Sequence, residues 1–401
     1  MDERRVLVAV GGGIAAYKVC QLVSSLVQAG MQVRVMLTNS AQQFVTPLSF
    51  STLSRSPAYT DQDFWQGDRG RPLHIELGEW AELIVLAPLT ANTLGKLAHG
   101  LADNLVTNTI LASTCPVIAA PAMNTDMWEQ KTVQHNWHTL LEDDRYHAAN
   151  PESGLLACDR VGAGRMAEPE TLLLQIRSLL MRLQRDLIGK HILVSAGSTQ
   201  EFLDPVRYIG NPSTGKMGAA IAQAALYRGA SVTMVHGPMA QVDLQSLSGV
   251  RLISATTAIA MRNAMQQEMA AVDWIFMAAA VADLKPKDYR DRKIPKGDLP
   301  KRLALVEVPD IIAGLSNHKQ RHQRLVGFAA QTGDFETPAK EKMERKELDA
   351  IVANPIDLAE GGFGSDVNQG VWLDRWGRRE EIPLCSKLEM AHRILDAARR
   401  S

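Results

Sequence analysis

The chain of 401 residues carries almost no net charge, with 43 Lys plus Arg against 44 Asp plus Glu and a formal balance of −1. A nucleic-acid-binding face normally needs a large basic excess, so no nucleic-acid partner is expected. Long apolar runs are also missing: none approaches the roughly 18 residues that a membrane span requires. The charged start is followed only by the five apolar residues 6–10, so neither a signal peptide nor a membrane anchor is expected. Cysteine is scarce. Cys20, Cys115, Cys158 and Cys385 lie far apart with no C-x-x-C pair, which suits neither a zinc cage nor a secreted disulfide framework. A cytoplasmic location is expected. One more absence is local: between Arg4 and Thr60 there is no Asp or Glu.

What is present is an alternation of short β-branched runs with helical stretches. Residues 6–10 read as a strand, Val19, Leu22, Val23, Leu26 and Val27 mark one face of a helix, Gly30 stops it, and residues 33–37 form the next strand. Further strands are expected at 83–87 and 117–120, with a helix over 105–112 between them. A helical run continues through Arg177 towards Gly189. The pattern then restarts, with strands at 192–196, 232–235, 274–278, 325–329 and 350–353 and a helix over 219–227 ending at Gly229. This predicts an α/β chain of two doubly wound domains, residues 1–187 and 188–401.

Open parallel sheets bind ligands at the carboxyl ends of their strands. After the first strand come Gly11, Gly12 and Gly13, whose bareness lets backbone approach a ligand, followed by a helix N-terminus with unpaired N–H groups for a phosphate. A dinucleotide site would want an acid about 20 residues on for the adenosine ribose. The missing acid therefore favours a mononucleotide with one phosphate, a flavin mononucleotide, with Thr38, Ser40, Thr90 and Asn92 as polar contacts. By itself His74 reads as readily as a surface histidine, and Asn124 as a helix cap. Cys158 lies among glycines in residues 153–166, unlike an inert core cysteine, and that glycine content suggests a flap.

In the second half, residues 210–216 fit G-x-x-x-x-G-K, but Met217 stands where a P-loop has its Mg2+-binding Ser or Thr. An ordinary P-loop ATPase is disfavoured, while a glycine-rich anion cradle around Ser213 and Thr214 remains. An apolar strand ends on Asp283, followed by a basic segment with Lys285, Lys287, Arg290, Arg292, Lys293 and Lys296. Such a run reads either as a solvated loop or as a partner for a nucleoside triphosphate and its metal.

Taken together, residues 12–18, His74, residues 121–128 and the segment around Cys158 with 164–166 closely resemble the flavin-dependent phosphopantothenoylcysteine decarboxylases. Residues 196–199, 204–208, 211–218, 279–283, 293–296, 309–311, 327–330, Lys342 and Lys346 resemble the phosphopantothenate–cysteine ligases, which many bacteria join to the decarboxylase in one chain. Departures from the usual family residues fall at Gly11, Gln200, Thr214, Pro295 and Gln331. The resemblance implies a flavodoxin-like FMN domain followed by a Rossmann-like ligase domain. It also implies an enzyme of coenzyme A biosynthesis that uses CTP with Mg2+ to join cysteine to 4′-phosphopantothenate, then FMN to decarboxylate the product. By the same resemblance His74 is the base, Asn124 orients the substrate carboxylate and Cys158 reprotonates. Lys293 neutralises charge during nucleotidyl transfer and Asn211 holds the acyl-cytidylate. Asp283 binds the nucleotide or its metal. Met277, Ala278, Ala279, Pro309, Asp310, Ile311, Ile312 and Phe328 frame base and ribose, with Lys342 and Lys346 on the phosphates. Protein metal ligands are not identified. Homo-oligomers are implied, trimeric through the flavin domains and dimeric through the ligase domains. A nicotinamide oxidoreductase is the second reading, opposed by the missing acid. A non-catalytic flavin-fold regulator is the third, opposed by the joint presence of His74, Asn124 and Cys158.

Overall fold

The computed structural model describes residues 4–66, 70–155, 161–181, 185–239, 242, 244–356 and 364–400. The chain divides into two compact units, Met1–Leu183 and Gln184–Ser401.

In the first unit β1 (Arg5–Val10), β2 (Gln32–Leu37), β3 (Ala58–Tyr59), β4 (Leu83–Leu89), β5 (Val117–Pro121) and β6 (Tyr146–Ala148) make one sheet in the order β3-β2-β1-β4-β5-β6. Every pairing in it is parallel. The order differs from the 2-1-3-4-5 of flavodoxin itself but obeys the same rule, placing a ligand crevice where the winding reverses, here between β1 and β4. The apolar runs are continuous because both faces are covered. Val6, Val8 and Val10 enter one core with Leu22 and Leu26 of the helix Ala16–Gln28 and Ile176 of the helix Pro169–Met181. Leu7 and Ala9 enter the other with Leu77, Leu94 and Ile110. Each such Leu or Val, fully buried, contributes about 1.5–3 kcal/mol. After the sheet, β7 (Glu152–Leu155) pairs antiparallel with β8 (Val161–Arg165).

The second unit repeats the plan. Its strands are β9 (His191–Ala196), β10 (Gln200–Phe202), β11 (Tyr208–Gly210), β12 (Ser231–His236), β13 (Arg251–Ser254), β14 (Trp274–Met277), β15 (Leu284–Pro286), β16 (Leu305–Glu307), β17 (Arg324–Gln331), β18 (Ala350–Pro355), β19 (Val367–Asp374) and β20 (Arg379–Ser386). The main sheet runs β13-β12-β9-β14-β17-β18-β19-β20, with β10-β11 and β15-β16 as separate two-stranded pairs. The winding reverses between β9 and β14. The sheet is parallel as far as β18, and β19 and β20 then close its edge antiparallel. Helices Ala258–Glu268, Ile311–His318 and Glu336–Arg345 share a core with Leu193, Ile275, Leu325 and Ile351. Helices Lys216–Tyr227 and Lys387–Arg400 pack against each other beside strands of the same sheet. Behind them Arg228, 1% exposed, bonds Asp186 through Nε and Nη2 at 2.7 and 2.6 Å and pairs with Asp396 at 3.0 Å. A buried guanidinium needs such partners, since unpaired it would cost several kcal/mol, of order 3–5.

The helix expected to run on towards Gly189 is described only as far as Met181. Among the described residues no helix is long and apolar enough to cross a membrane.

Candidate functional site

The first candidate site is built on the carboxyl end of the first sheet. Gly11, Gly12 and Gly13 leave β1 in a tight turn in which Gly13 N–H donates to Gly11 O at 3.1 Å. A Cβ on Gly11 would stand 2.3 Å from Pro88 O, and one on Gly12 would stand 2.2 Å from Ser40 Cβ. The glycines are therefore required by the close approach of the β4 and β2 loops. This crossing brings Thr38, Ser40 and Thr90 around one turn. The following helix, Ala16–Gln28, has no side-chain cap and no acid in its first turn. Its end is open to an anion, and a Cβ on Gly13 would meet nothing nearer than 3.9 Å. These features fit the single phosphate of a flavin mononucleotide. Thr38 Oγ1 accepts from Ala41 N–H at 3.2 Å, and Thr90 caps the helix Ala91–Ala98 through Thr93 N–H at 3.3 Å. Both hydroxyls thus have structural duties at this edge as well. Asn92 is exposed in the first turn of that helix.

Asn124 ends the β5 loop and caps the helix Thr125–Trp128, its Oδ1 accepting from Asp126 N–H at 2.7 Å. Onto this turn docks β8. Gly164 at φ +136° accepts from Met123 N–H at 3.0 Å, and a Cβ there would lie 2.2 Å from Met123 O. Cys158 lies outside the described residues, in the segment joining β7 to β8. The root of that pair is tied to the glycine-turn helix: Glu168 takes Lys18 at 2.6 Å and Arg165 at 2.7 Å, while its N–H donates to Glu152 at 3.2 Å. Burial raises the Glu152 carboxyl above its ordinary value, and neighbouring Glu168 pushes the same way. No sequence signal had marked Lys18, Glu152 and Glu168 as a unit. His74 sits in the first turn of the helix Leu73–Trp80, with its ring edge-on to Phe64 at 5.4 Å and its buried Nδ1 lacking a hydrogen-bond partner.

The second candidate site is a cleft of about 840 Å³ at the carboxyl edge of the second sheet. Sequence reading and structure meet here. Asn211, Asp283, Phe328, Lys342 and Lys346 line it, as do residues 277–279 and 309–312. Its floor follows β14 and is pinned to β9 and the loop after it: Ala279 N–H donates to Ser195 Oγ at 3.1 Å and Ala282 N–H to Thr199 Oγ1 at 3.0 Å. Asn211 Nδ2 donates to Val281 O at 3.1 Å, fixing its side chain over that floor. Gly210 ends the small β10-β11 pair instead of a sheet strand, which separates this loop from a P-loop.

On one wall Asp310 pairs with Lys346 and caps the helix Ile311–His318 through Ala313 N–H at 3.1 Å. Burial works to raise the Asp310 carboxyl, but the Lys346 and Ala313 bonds outweigh it and hold it below the ordinary value. Lys342 donates to Phe328 O at 2.9 Å, and burial, then repulsion from Lys346, lower its amine. Lys216 and Lys387, with Asn354 and Asn368, also line the cleft. Of these, Lys387, Asn354 and Asn368 come from β18, β19 and the last helix, regions that carried no recognisable motif. Lys293 is the exception among the expected residues. It is exposed on the segment between β15 and β16 and does not line the cleft. Its neighbour Ile294 is the buried anchor, held by Asp204 at 3.2 Å and Arg207 at 3.1 Å, while an ammonium without a buried counter-charge stays in water. Among the described residues no group of three or more His, Cys, Asp or Glu side chains is arranged to hold a metal ion.

The flavoprotein family model matches residues 1–181, and the model of the DNA/pantothenate metabolism flavoprotein C-terminal domain matches residues 187–400. The coenzyme A biosynthesis bifunctional protein CoaBC of Bacillus subtilis is 43% identical over 396 residues, covering 98% of this chain and 96% of the relative. That of Vibrio cholerae is 38% identical over 394 residues, covering 98% and 97%. A solved PPC decarboxylase mutant, complexed with pantothenoylaminoethenethiol, is 38% identical and covers 44% of this chain and 98% of its own, with a TM-score of 0.42. By full-length identity and by both domain models, the chain belongs to the family of coenzyme A biosynthesis bifunctional proteins CoaBC.

Proposed function

We propose that the two parts of the chain catalyse consecutive steps of coenzyme A biosynthesis. Residues 188–401 join cysteine to 4′-phosphopantothenate with CTP, and residues 1–187 decarboxylate the product to 4′-phosphopantetheine with FMN. The observation that carries this reading is the gathering of Asn211, Asp283, Phe328, Lys342 and Lys346, scattered along the sequence, on one cleft floored by the β14 loop.

In the ligase step a carboxylate oxygen of 4′-phosphopantothenate attacks the α-phosphorus of CTP and pyrophosphate leaves. The cysteine amine then attacks the acyl carbon, CMP departs and a proton is released. A bare carboxylate is a poor acyl donor, and esterification to CMP supplies the leaving group. Lys342 and Lys346 face the nucleotide's phosphates, and Asn211 holds the acyl-cytidylate against the floor. Mg2+ arrives with the triphosphate, and Asp283, exposed at the cleft, is the carboxylate offered to it. Lys293 reaches the developing charge from the segment whose roots at Leu284 and Glu307 line the cleft.

In the decarboxylation step Gly11, Gly12 and Gly13, with Thr38, Ser40, Thr90 and Asn92, hold the FMN. When bound, FMN would supply a two-electron acceptor that takes a hydride from the thiol-bearing carbon, creating the electron sink that loss of CO2 requires, and would give the hydride back once CO2 has left, restoring the thiol. Asn124 orients the departing carboxylate, His74 accepts the thiol proton and Cys158 returns a proton to the enethiolate carbon. The active assembly is a cytoplasmic homo-oligomer, with trimer contacts through the flavin units and dimer contacts through the ligase units.

The test is a purified chain scanned for a flavin spectrum and then given 4′-phosphopantothenoylcysteine. Wild type is expected to be yellow and to yield reduced product, whereas Cys158→Ser should release CO2 and stall at the decarboxylated, oxidised species. Normal yields of reduced product from Cys158→Ser refute its role, and a colourless wild type refutes the flavin site.

A further inference from the structure

The reaction scheme above gives no part to four charged side chains that meet where β7 begins and β8 ends. Glu168 Oε1 accepts from both Lys18 Nζ at 2.6 Å and Arg165 Nη2 at 2.7 Å. The Glu168 N–H donates to Glu152 Oε1 at 3.2 Å, so a second carboxylate, 8% exposed, holds the residue that carries the first. A lone surface ion pair contributes little, but here one oxygen takes two cations whose side chains are only 19% and 32% exposed. Lys18 comes from the first turn of the helix Ala16–Gln28, 150 residues before Glu168. Arg165 lies across β7, since a Cβ on Gly154 would stand 2.6 Å from its Nη1.

The cluster stands beside an irregularity in the β7–β8 pair. Glu152 is opposite Arg165 and Ser153 is opposite Ala163, which leaves Gly164 as an extra residue on β8. Such a bulge bends its strand and re-aims the backbone. Here it presents Gly164 O to Met123 N–H at 3.0 Å, one residue before Asn124. A continuous path therefore runs from Glu168 through Arg165 and Gly164 to Met123 and Asn124, and Lys18 ties it to the helix that follows the glycine turn.

We propose that Glu168 is a positioning residue for decarboxylation: by holding Arg165 and Lys18 on one carboxylate oxygen it fixes the Gly164 bulge, and through the bulge it sets the Asn124 turn relative to the glycine turn. This deepens the decarboxylase reading and rests on it for the reaction. Glu168 itself touches no reacting group, so its loss acts on the rate of the bound substrate and not on binding.

The test uses the full chain carrying Glu168→Gln, Lys18→Met or Lys18→Arg, with thermal melts to verify folding and the flavin spectrum to verify occupancy. Glu168→Gln keeps the side-chain shape and the N–H bond to Glu152 but removes the charge that gathers both cations. Its kcat for decarboxylation of 4′-phosphopantothenoylcysteine should fall about 10- to 100-fold, the cost of misplacing a catalytic group by up to about 1 Å, while KM stays within about threefold. Lys18→Met should lower kcat in the same way, and Lys18→Arg, which keeps the pair, should recover most of the loss. The double variant Lys18→Met/Glu168→Gln should be no slower than its slower parent, because the two side chains act as one unit. Amide hydrogen exchange reads the same displacement without the reaction: the Met123 N–H should exchange about 10-fold faster in Glu168→Gln than in wild type. A wild-type kcat, a change confined to KM, or unchanged Met123 exchange in folded Glu168→Gln overturns the proposal. Should Glu168→Gln not fold, Lys18→Met carries the same comparison. If wild type releases no CO2, the decarboxylase reading fails by itself; faster Met123 exchange in the variants then still supports the path from Glu168 to the Asn124 turn, and unchanged exchange still overturns it.

Discussion

Gly164→Ala is the most informative single change in the decarboxylase unit, because it disturbs the seat of the Cys158 segment without touching a reacting group. At φ +136° a side chain is strained by about 1–3 kcal/mol. The added Cβ would also stand 2.2 Å from Met123 O, a backbone atom that cannot rotate away. Restoring an ordinary carbon–oxygen separation requires β8 and the 123–124 turn to part by about 1 Å. Gly164 O holds Met123 N–H at 3.0 Å, so the shift also weakens that bond. Misplacement on this scale costs about 10²-fold in rate when it lies between a catalytic group and its substrate. The expected outcome is therefore a roughly 100-fold slower decarboxylation of 4′-phosphopantothenoylcysteine, followed as CO2. Flavin retention should be normal because Gly11, Gly12 and Gly13 are untouched, and CMP formation should stay within about twofold. Wild-type decarboxylation by a folded Gly164→Ala protein would refute the docking of β8 on the Asn124 turn as a requirement for catalysis.

Other expectations concern the second unit. Arg228→Leu removes the buried guanidinium that bridges Asp186 and Asp396, leaving Asp186 to Arg399, and should destabilise that unit by about 3–5 kcal/mol, read by denaturant melts. Asp186 is pushed up by burial but held below its ordinary value by Arg228 and, to a lesser degree, Arg399, so its contribution is present above 3.8 and lost as pH falls through the lower folded value. Acid melts of Arg228→Leu should show a smaller loss, and an unchanged acid limb would contradict it. The lowered Lys342 amine loses its proton in a range where an ordinary lysine is still charged. The KM for CTP should therefore climb with pH below the ordinary lysine range, and Lys342→Arg, always charged, should flatten the climb. Equal slopes in both proteins would remove Lys342 from the phosphate contacts.

Much of the sheet architecture was legible because burial on both faces writes apolar β-branched runs that are hard to mistake. The helix over 105–112 agrees with the observed Leu105–Ala112, and the strands at 6–10 and 33–37 each gained one residue at the start. The interior strand Val367–Asp374 and the helices Ala258–Glu268, Glu336–Arg345 and Lys387–Arg400 were not read from the sequence, and other elements that escaped are short or edge-lying. Ala58–Tyr59 spans two residues, and Tyr146–Ala148 lies at the sheet edge. The edge strand Arg379–Ser386 is mostly exposed and contains a proline, so neither periodicity nor hydrophobicity marks it. The cleft was legible where motifs stand at strand ends, as at 277–283 and 309–312. The share of Asn354, Asn368 and Lys387 was not, because they are ordinary residues until β18, β19 and the last helix bring them to the cleft. The Lys18–Glu168–Arg165 tie was hidden for the same reason, since about 150 residues separate its first two members.

The central claim, that one chain makes an amide and then strips the carboxyl it has just introduced, is tested most directly with cysteine labelled at its carboxyl carbon. Purified enzyme would receive this cysteine, 4′-phosphopantothenate, CTP and Mg2+, with CMP and labelled CO2 followed together. The account predicts that labelled CO2 appears after a lag and reaches the same yield as CMP. CMP without labelled CO2, or neither product from folded, yellow protein, would contradict it.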